Sequence, residues 1–319
     1  MKKLSIVMYH YVRDLQNSRY PGIKGLDYNL FKKQIQFFFE NYHAITMEEL
    51  IAYYDEGYDL PENAVLLTFD DGYIDNYQYV LPILREYGMQ GSFFVPGKVF
   101  CEHCLLDVNK IHFLLASTPI EILCNKLYEM LDYYRGQGKW DYPSNEELFA
   151  AHAVANRFDN KETIFFKRIL QAVLPEELRT LITSELFKKY LDVSESVLAR
   201  ELYLNYDQMK QMKREGMFFG SHGYNHYWMN KLSAADLARD IDKSLEVLDG
   251  LIDDKKWVIN YPYGSYSENV ITYVRENGAV LGLSTDVGMV DDFANKRFQM
   301  PRLDTNDFPP KSENFKNYK

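Results

Sequence analysis

The sequence predicts an α/β protein built on a mainly parallel sheet, open or closed into a barrel, and three observations point there. Apolar strand-like runs alternate with helical stripes in residues 4–95 and again from 216 onward, the order that gives parallel strands joined by crossover helices. Between about 99 and 205 only helical periodicity remains, which reads as a helical insertion. The chemistry-bearing residues gather just after strand-like runs, at the carboxyl edge where parallel α/β folds place their sites.

The elements follow in order. Residues 4–9, LSIVMY, read as a first strand, and His10 follows it. A helical stripe runs through Phe31, Ile35, Phe38, Phe39 and Tyr42. The continuous apolarity of Ala64 to Phe69 suits a strand buried on both faces. It ends at Asp70 and Asp71, with Gly72 to turn the chain. A helix near 75–87 leads to a strand at 91–95. The insertion shows helical segments near 109–116, 119–135, 145–157, 161–173 and 175–190. Beyond it come a strand at 217–220, a helix at 233–251, a strand at 257–261, a helix at 267–277 and a last strand at 279–284. The expected organisation is one domain over 1–319 with the insertion at about 99–205.

Composition narrows the function classes. A formal net charge of −10 lacks the basic footprint of a nucleic-acid partner. Three cysteines are too few for a disulfide framework, and CEHC at 101–104 has no second Cys/His pair at finger-like spacing. No run approaches the roughly 18–20 apolar residues of a membrane span. The start MKKLSIVMYHYVRD reads as a strand rather than a signal peptide, so the expected location is cytoplasmic, free or peripheral to the membrane. The 26 tyrosines are read mainly as packing residues.

Three motifs carry chemistry. Adjacent Asp70 and Asp71 repel one another, and a metal ion on one of them would relieve that. His222 and His226 stand four apart just past a short strand. Two imidazoles and one carboxylate make a three-ligand set that leaves positions open for water or substrate, as catalytic divalent sites do. In NYPYGSY, residues 260–266, Pro262 and Gly264 permit a turn that can aim the Tyr263 N–H into a site as an oxyanion donor.

Together these motifs resemble the polysaccharide deacetylase superfamily, carbohydrate esterase family four: Thr68-Phe69-Asp70-Asp71-Gly72, then His222 to His226, then Pro262-Tyr263-Gly264. The flanking YDQMKQMKREGMFFGSH and LSAADLARDIDKSLEVLDG are similar as well, so the resemblance covers about 1–98 and 204–308. It implies a distorted (β/α) barrel, with the helical block as an insertion in a single catalytic domain. It implies that Asp71, His222 and His226 hold one divalent ion, zinc by preference, with Co2+, Ni2+, Fe2+ or Mn2+ as alternatives. Asp70 would be the general base toward the attacking water, and the Tyr263 amide would hold the oxyanion.

The pattern also departs from the family. Most members take the general acid from a C-terminal L-x-H motif, but the last histidine here is His226. His43, His103, His112 and His152 fall in segments read as helical or inserted, which leaves His10. The poly-N-acetylglucosamine deacetylase branch resembles that layout, with an N-terminal acid and a Y-P-Y-G motif matched by Tyr261 to Gly264. Gly223 replaces the usual Ser/Thr, which is expected to loosen support of the metal histidines. Asn260 stands where much of the family has the arginine that orients the base. Arg302, read as lying after the last strand, is the candidate substitute, and Asn260 and Asn225 are further base-orienting or substrate-binding candidates. Asp286 is a candidate remnant of the family's fourth motif.

The expected partner is an amino-sugar glycan or its nucleotide-linked, lipid-linked or growing precursor, and the expected reaction is metal-dependent hydrolysis of its N-acetyl amide. Removal of an N-formyl group would use the same machinery. A metal-retaining glycan-binding protein without turnover is the rival from another class, and the sequence leaves the oligomeric state unassigned.

Overall fold

A computed structural model describes residues 3–156 and 159–318. Its centre is a closed barrel of seven parallel strands: β1 (Leu4–Tyr9), β2 (Ala64–Asp70), β3 (Gly91–Val95), β4 (Phe218–Ser221), β5 (Trp257–Asn260), β6 (Ala279–Val287) and β7 (Met300–Asp304). Each strand pairs with its successor in the chain, and β7 returns to β1 to close the ring. The sequence reading ended the strands at 279–284; β6 runs three residues further, and β7 is an additional strand. Arg302 therefore sits inside the closing strand, not after the last one.

The two-residue period of a strand sorts side chains between faces. Leu4, Ile6, Leu66, Val258, Leu283 and Met300 join one buried cluster, which the helix Met47–Asp55 enters through Met47 and Leu50. Two positions further along the same faces come Thr68 and then Asp70 on β2, Asn260 on β5 and Arg302 on β7. The strands are thus apolar toward their amino ends and polar toward their carboxyl ends. On the opposite face Tyr9 stacks on Phe69, and both lie against Phe31 of the helix Tyr28–Asn41.

Helix boundaries follow capping chemistry. Asp27, Thr46, Ser233 and Ser267 each accept a backbone N–H in the first turn of the helix they precede. The helix expected at 233–251 ends at Val247, and that expected at 145–157 ends at His152. The segment after the aspartate pair starts as a π-turn, Asn76–Val80, before the helix Leu81–Tyr87. His43, read as helical, lies in a two-residue strand beside Ala64, with its ring on the Glu62 carbonyl.

The chain divides into two compact units: Met1–Asp14, Gly25–His103 and Arg200–Lys319 in one, Leu15–Lys24 and Cys104–Ala199 in the other. The barrel is the first. The second is helical, with main helices Asp107–Ser117, Ile120–Gly136, Lys161–Arg168 and Glu176–Tyr190. Its buried Lys110 binds Asp107, Glu195 and Ser184, so the DVNKIHF stretch packs that unit internally. No described helix is long and apolar enough to cross a membrane.

Candidate active site

The carboxyl ends of the strands bring the three motifs together. Asp70 ends β2 and is buried. Arg302 binds it at both oxygens, Nη1 to Oδ1 and Nη2 to Oδ2, each at 2.9 Å. The same guanidinium donates to Thr68 Oγ1 (3.1 Å), Asn260 Oδ1 (3.0 Å) and the Ser284 carbonyl (2.8 Å), so its five N–H groups are all used. Asn260 Nδ2 adds a bond of 2.6 Å to Asp70 Oδ1. Burial by itself would raise the Asp70 pKa; the charge of Arg302, the largest opposing cause, brings it below its ordinary value. Asp70 is a carboxylate fixed in place and kept ionised.

Asp71 occupies the next residue with a left-handed backbone, φ 71°, and so points elsewhere. Its Oδ2 accepts 2.6 Å from the hydroxyl of Tyr73, a buried ring stacked on Tyr11. Its Oδ1 is buried with no hydrogen-bond partner and faces His222 Nε2 at 3.5 Å and His226 Nε2 at 3.2 Å. The Nδ1 of His222 donates to the Asn260 carbonyl at 2.5 Å, which leaves Nε2 as the lone-pair nitrogen. Burial lowers the His226 pKa against the pull of Asp71, keeping that imidazole neutral, and Asp71 is held well below its ordinary value by the two histidines despite burial.

Ligand atoms of Asp71, His222 and His226 all lie within 4.8 Å of one another. An orphaned buried carboxylate oxygen facing two imidazole nitrogens is the donor chemistry of a divalent cation, and the three residues fit one. Among the described residues no other group of three or more such side chains meets that spacing, and neither Cys101 nor Cys104 is in a disulfide.

The loop carrying the histidines is built around Asp240 of the helix Ala234–Val247. Its Oδ2 accepts the Tyr224 N–H at 3.0 Å; its Oδ1 accepts the Asn225 N–H at 2.9 Å and the Asn225 side-chain amide at 2.8 Å. Asn225 therefore spends its side-chain amide on the turn rather than on Asp70. The expected loosening at Gly223 meets a different arrangement. Gly223 has φ 69°, its N–H donates to Ser221 Oγ, and a Cβ there would meet Asp240 Oδ2 at 2.7 Å. The turn needs glycine and takes its support from Asp240.

His10 follows β1 and faces solvent, with Nε2 3.8 Å from Asp70 Oδ2, beyond a hydrogen bond but at the same mouth. Tyr263 lies past β5 with φ 59° and ψ 12°. Its ring stacks flat on Trp228, centroids 4.5 Å apart at 4°, and meets His226 edge-on at 4.6 Å. Five described non-glycine residues have positive φ, and Asp71, His226 and Tyr263 are three of them. Such backbones cost on the order of 1–3 kcal/mol each and collect at functional sites. Asp286 accepts from Tyr266 and Ser284 and takes no part in the Asp70 network.

Sequence reasoning missed Tyr73, Trp228 and Asp240. Asp240 had a readable signal, since it shares the buried stripe of its helix with Leu237, Ile241 and Ser244. Tyr73 and Trp228 had none beyond adjacency to the motifs.

Comparisons with known proteins bear on the fold and the family. The family model described as polysaccharide deacetylase matches residues 57–118 and 181–282, more than half of the chain. The Bacillus subtilis protein YxkH, whose name assigns it to the polysaccharide deacetylases, is 20% identical over 287 residues, 90% of this chain and 66% of that protein's length. Among solved structures, the Streptococcus pyogenes deacetylase PplD in complex with acetate superposes with a TM-score of 0.59 at 18% identity, covering 99% of this chain and 96% of its own. A de-N-acetylase from Aggregatibacter actinomycetemcomitans gives 0.58 at 16% identity, covering 98% and 100%. The structural likenesses speak for the barrel, and the family model spans both aspartates, both histidines and the Pro262-Tyr263-Gly264 turn: the chain belongs to the polysaccharide deacetylase family.

Proposed function

We propose that the protein is a metal-dependent hydrolase that removes an N-acetyl group from an amino sugar of a surface polysaccharide or its precursor, the helical unit being an insertion in one catalytic domain. The observation that carries this reading is the division of labour between neighbouring aspartates: Asp70 locked by Arg302, and Asp71 with an orphaned oxygen facing two imidazoles. The relatives named as a deacetylase in complex with acetate and as a de-N-acetylase support the acyl group.

Asp71, His222 and His226 would hold one divalent cation, zinc by preference, and when bound it supplies Lewis-acid polarisation of the acyl carbonyl and a more acidic water. Asp70 takes the proton from the attacking water. Its carboxylate is already oriented by Arg302 and Asn260, so no reorganisation is needed as the water turns nucleophilic. Oxygen attack makes a tetrahedral carbon, whose oxyanion receives the Tyr263 N–H. His10, at the solvent side of Asp70, hands a proton to the departing nitrogen, so that the amine leaves neutral and the carboxylic acid is released.

The test is metal content together with amidase activity on N-acetyl and N-formyl amino-sugar oligomers, for the wild type, Asp71→Asn and His10→Ala. Stoichiometric metal is expected in the wild type and His10→Ala and loss of it in Asp71→Asn. Turnover should fall about 10²-fold or more in His10→Ala, the usual scale for a lost general acid. Full activity after chelation, or equal turnover in His10→Ala, would overturn the reading.

A further inference from the structure

The loops after β4 and β5 are fastened to each other at two points. The Trp228 ring lies parallel to Tyr263 at 4.5 Å, and Asn230 and Ser265 exchange hydrogen bonds, backbone N–H to Oγ at 3.1 Å and Oγ to Oδ1 at 2.7 Å. Between those fasteners stands Tyr263 with φ 59°, a conformation an L-residue leaves unless its surroundings hold it. Pro262 and Gly264 make the turn possible, the Gly264 and Ser265 N–H groups close it on the Tyr261 and Pro262 carbonyls, and Thr285 Oγ1 donates to the Tyr263 carbonyl at 3.4 Å, but none of these bonds is made to the Tyr263 ring. Trp228 lays its indole parallel to the phenol ring. Its Nε1 is buried with no hydrogen-bond partner. A buried indole N–H normally finds an acceptor, so the ring sits where stacking puts it rather than where its donor would be satisfied.

We propose that Trp228 is a positioning residue for the reaction: its indole clamps the Tyr263 ring and so holds the Tyr263 backbone in the left-handed conformation that presents its N–H to the oxyanion. This rests on the deacetylase reading above. The Tyr263 ring also meets the ring of His226, itself at φ 60°, at a steep angle. One aromatic stack thereby ties the oxyanion donor to a proposed metal ligand across two loops.

A clamp on a transition-state donor and a stacking platform for the sugar differ in kinetics. An interaction made only in the transition state lowers kcat and leaves KM alone, whereas a lost ground-state contact raises KM. Trp228→Ala is therefore expected to lower kcat about 10- to 100-fold on an N-acetylglucosamine oligomer, with KM changed less than about twofold. Trp228→Phe, which keeps a flat ring over Tyr263, should recover to within about threefold of wild type. The decisive background is Tyr263→Gly, because glycine adopts positive φ without a clamp and keeps the N–H. There, Trp228→Ala should change kcat by less than about threefold.

Equal kcat losses in the two backgrounds, or a rise in KM with kcat intact, would overturn the proposal; the second result would make Trp228 a sugar platform. A readout independent of turnover is amide hydrogen exchange of residues 261–266 in the metal-free protein. Exchange should speed up at least about tenfold in Trp228→Ala and not in Trp228→Phe, and unchanged exchange would remove the clamp. Absence of amidase activity in the wild type on every glycan would instead sink the deacetylase reading, with the exchange result still deciding whether Trp228 holds the turn.

Discussion

Arg302 is the residue on which the candidate site turns. A buried carboxylate beside a second one is an unfavourable pair, and Arg302 offsets it with a two-point bond and three further anchors. Replacing it by glutamine removes the charge that opposes the burial of Asp70, so the Asp70 pKa should rise. A base must be ionised to act, so activity is lost as pH falls through that pKa, and the acidic limb of the kcat/KM profile should move to higher pH in Arg302→Gln. An unpaired buried carboxylate should also destabilise the variant by about 3–5 kcal/mol, readable in urea unfolding. An acidic limb that stays put would deny Arg302 the role of holding the base ionised. The aspartates, His222 and His10 were legible because each stands at or just past the end of a strand-like run, and His226 because it stands four residues beyond His222. Arg302 was only half legible: MPRLD carries a proline and a charge, which hide a strand, and its contact with Asp70 arises only when β7 closes the ring.

At the scale of elements, the loop from His222 to Lys231 shows how a motif can keep its proposed ligands and change its support. The family's Ser/Thr is absent at Gly223, whose left-handed backbone lies against Asp240. Restoring the family residue should therefore harm the protein. Gly223→Ser places a Cβ 2.7 Å from the carboxylate that fastens Tyr224 and Asn225, at a φ that costs an L-residue energy of its own. The expected loss is about 1–3 kcal/mol of stability, with weaker metal binding, measured by thermal unfolding and by metal titration. A serine variant as stable as wild type, with unchanged metal affinity, would show that the turn tolerates a side chain. Nothing in the sequence announced this exchange, because Tyr224 and Asn225 lie 15 or more residues from Asp240 and meet it only through folding. Helix interiors, by contrast, were legible from their stripes, and their ends strayed where no strong cap follows.

At the scale of the whole molecule, the alternation of strands and helices announced the parallel sheet, and the helical block was read as an insertion in one domain. The residues that fold with that block were less evident. Leu15–Lys24, a short irregular stretch with Pro21 and Gly22, belongs to the helical unit although it precedes it by some 80 residues. Side chains make the connection: Tyr20 packs on Phe113, and Lys24 meets Asp159, which Lys167 also binds at 2.8 Å. Burial alone would raise the Asp159 pKa, but Lys167 and Lys24 carry it below its ordinary value. A depressed folded value means that the carboxylate stabilises the native state fully above its unfolded pKa, and that this share is lost as pH falls through the folded one. Asp159→Asn should thus weaken the helical unit by about 1.5–3 kcal/mol at neutral pH. The gap to wild type should hold down to the ordinary carboxylate value and then close in stronger acid, where both proteins carry a neutral side chain. Hydrogen exchange in the helix Lys161–Arg168, followed against pH in both proteins, reads this directly. A gap independent of pH would mean that Asp159 acts through shape rather than charge, and that Leu15–Lys24 is held to the helical unit by packing such as Tyr20 on Phe113.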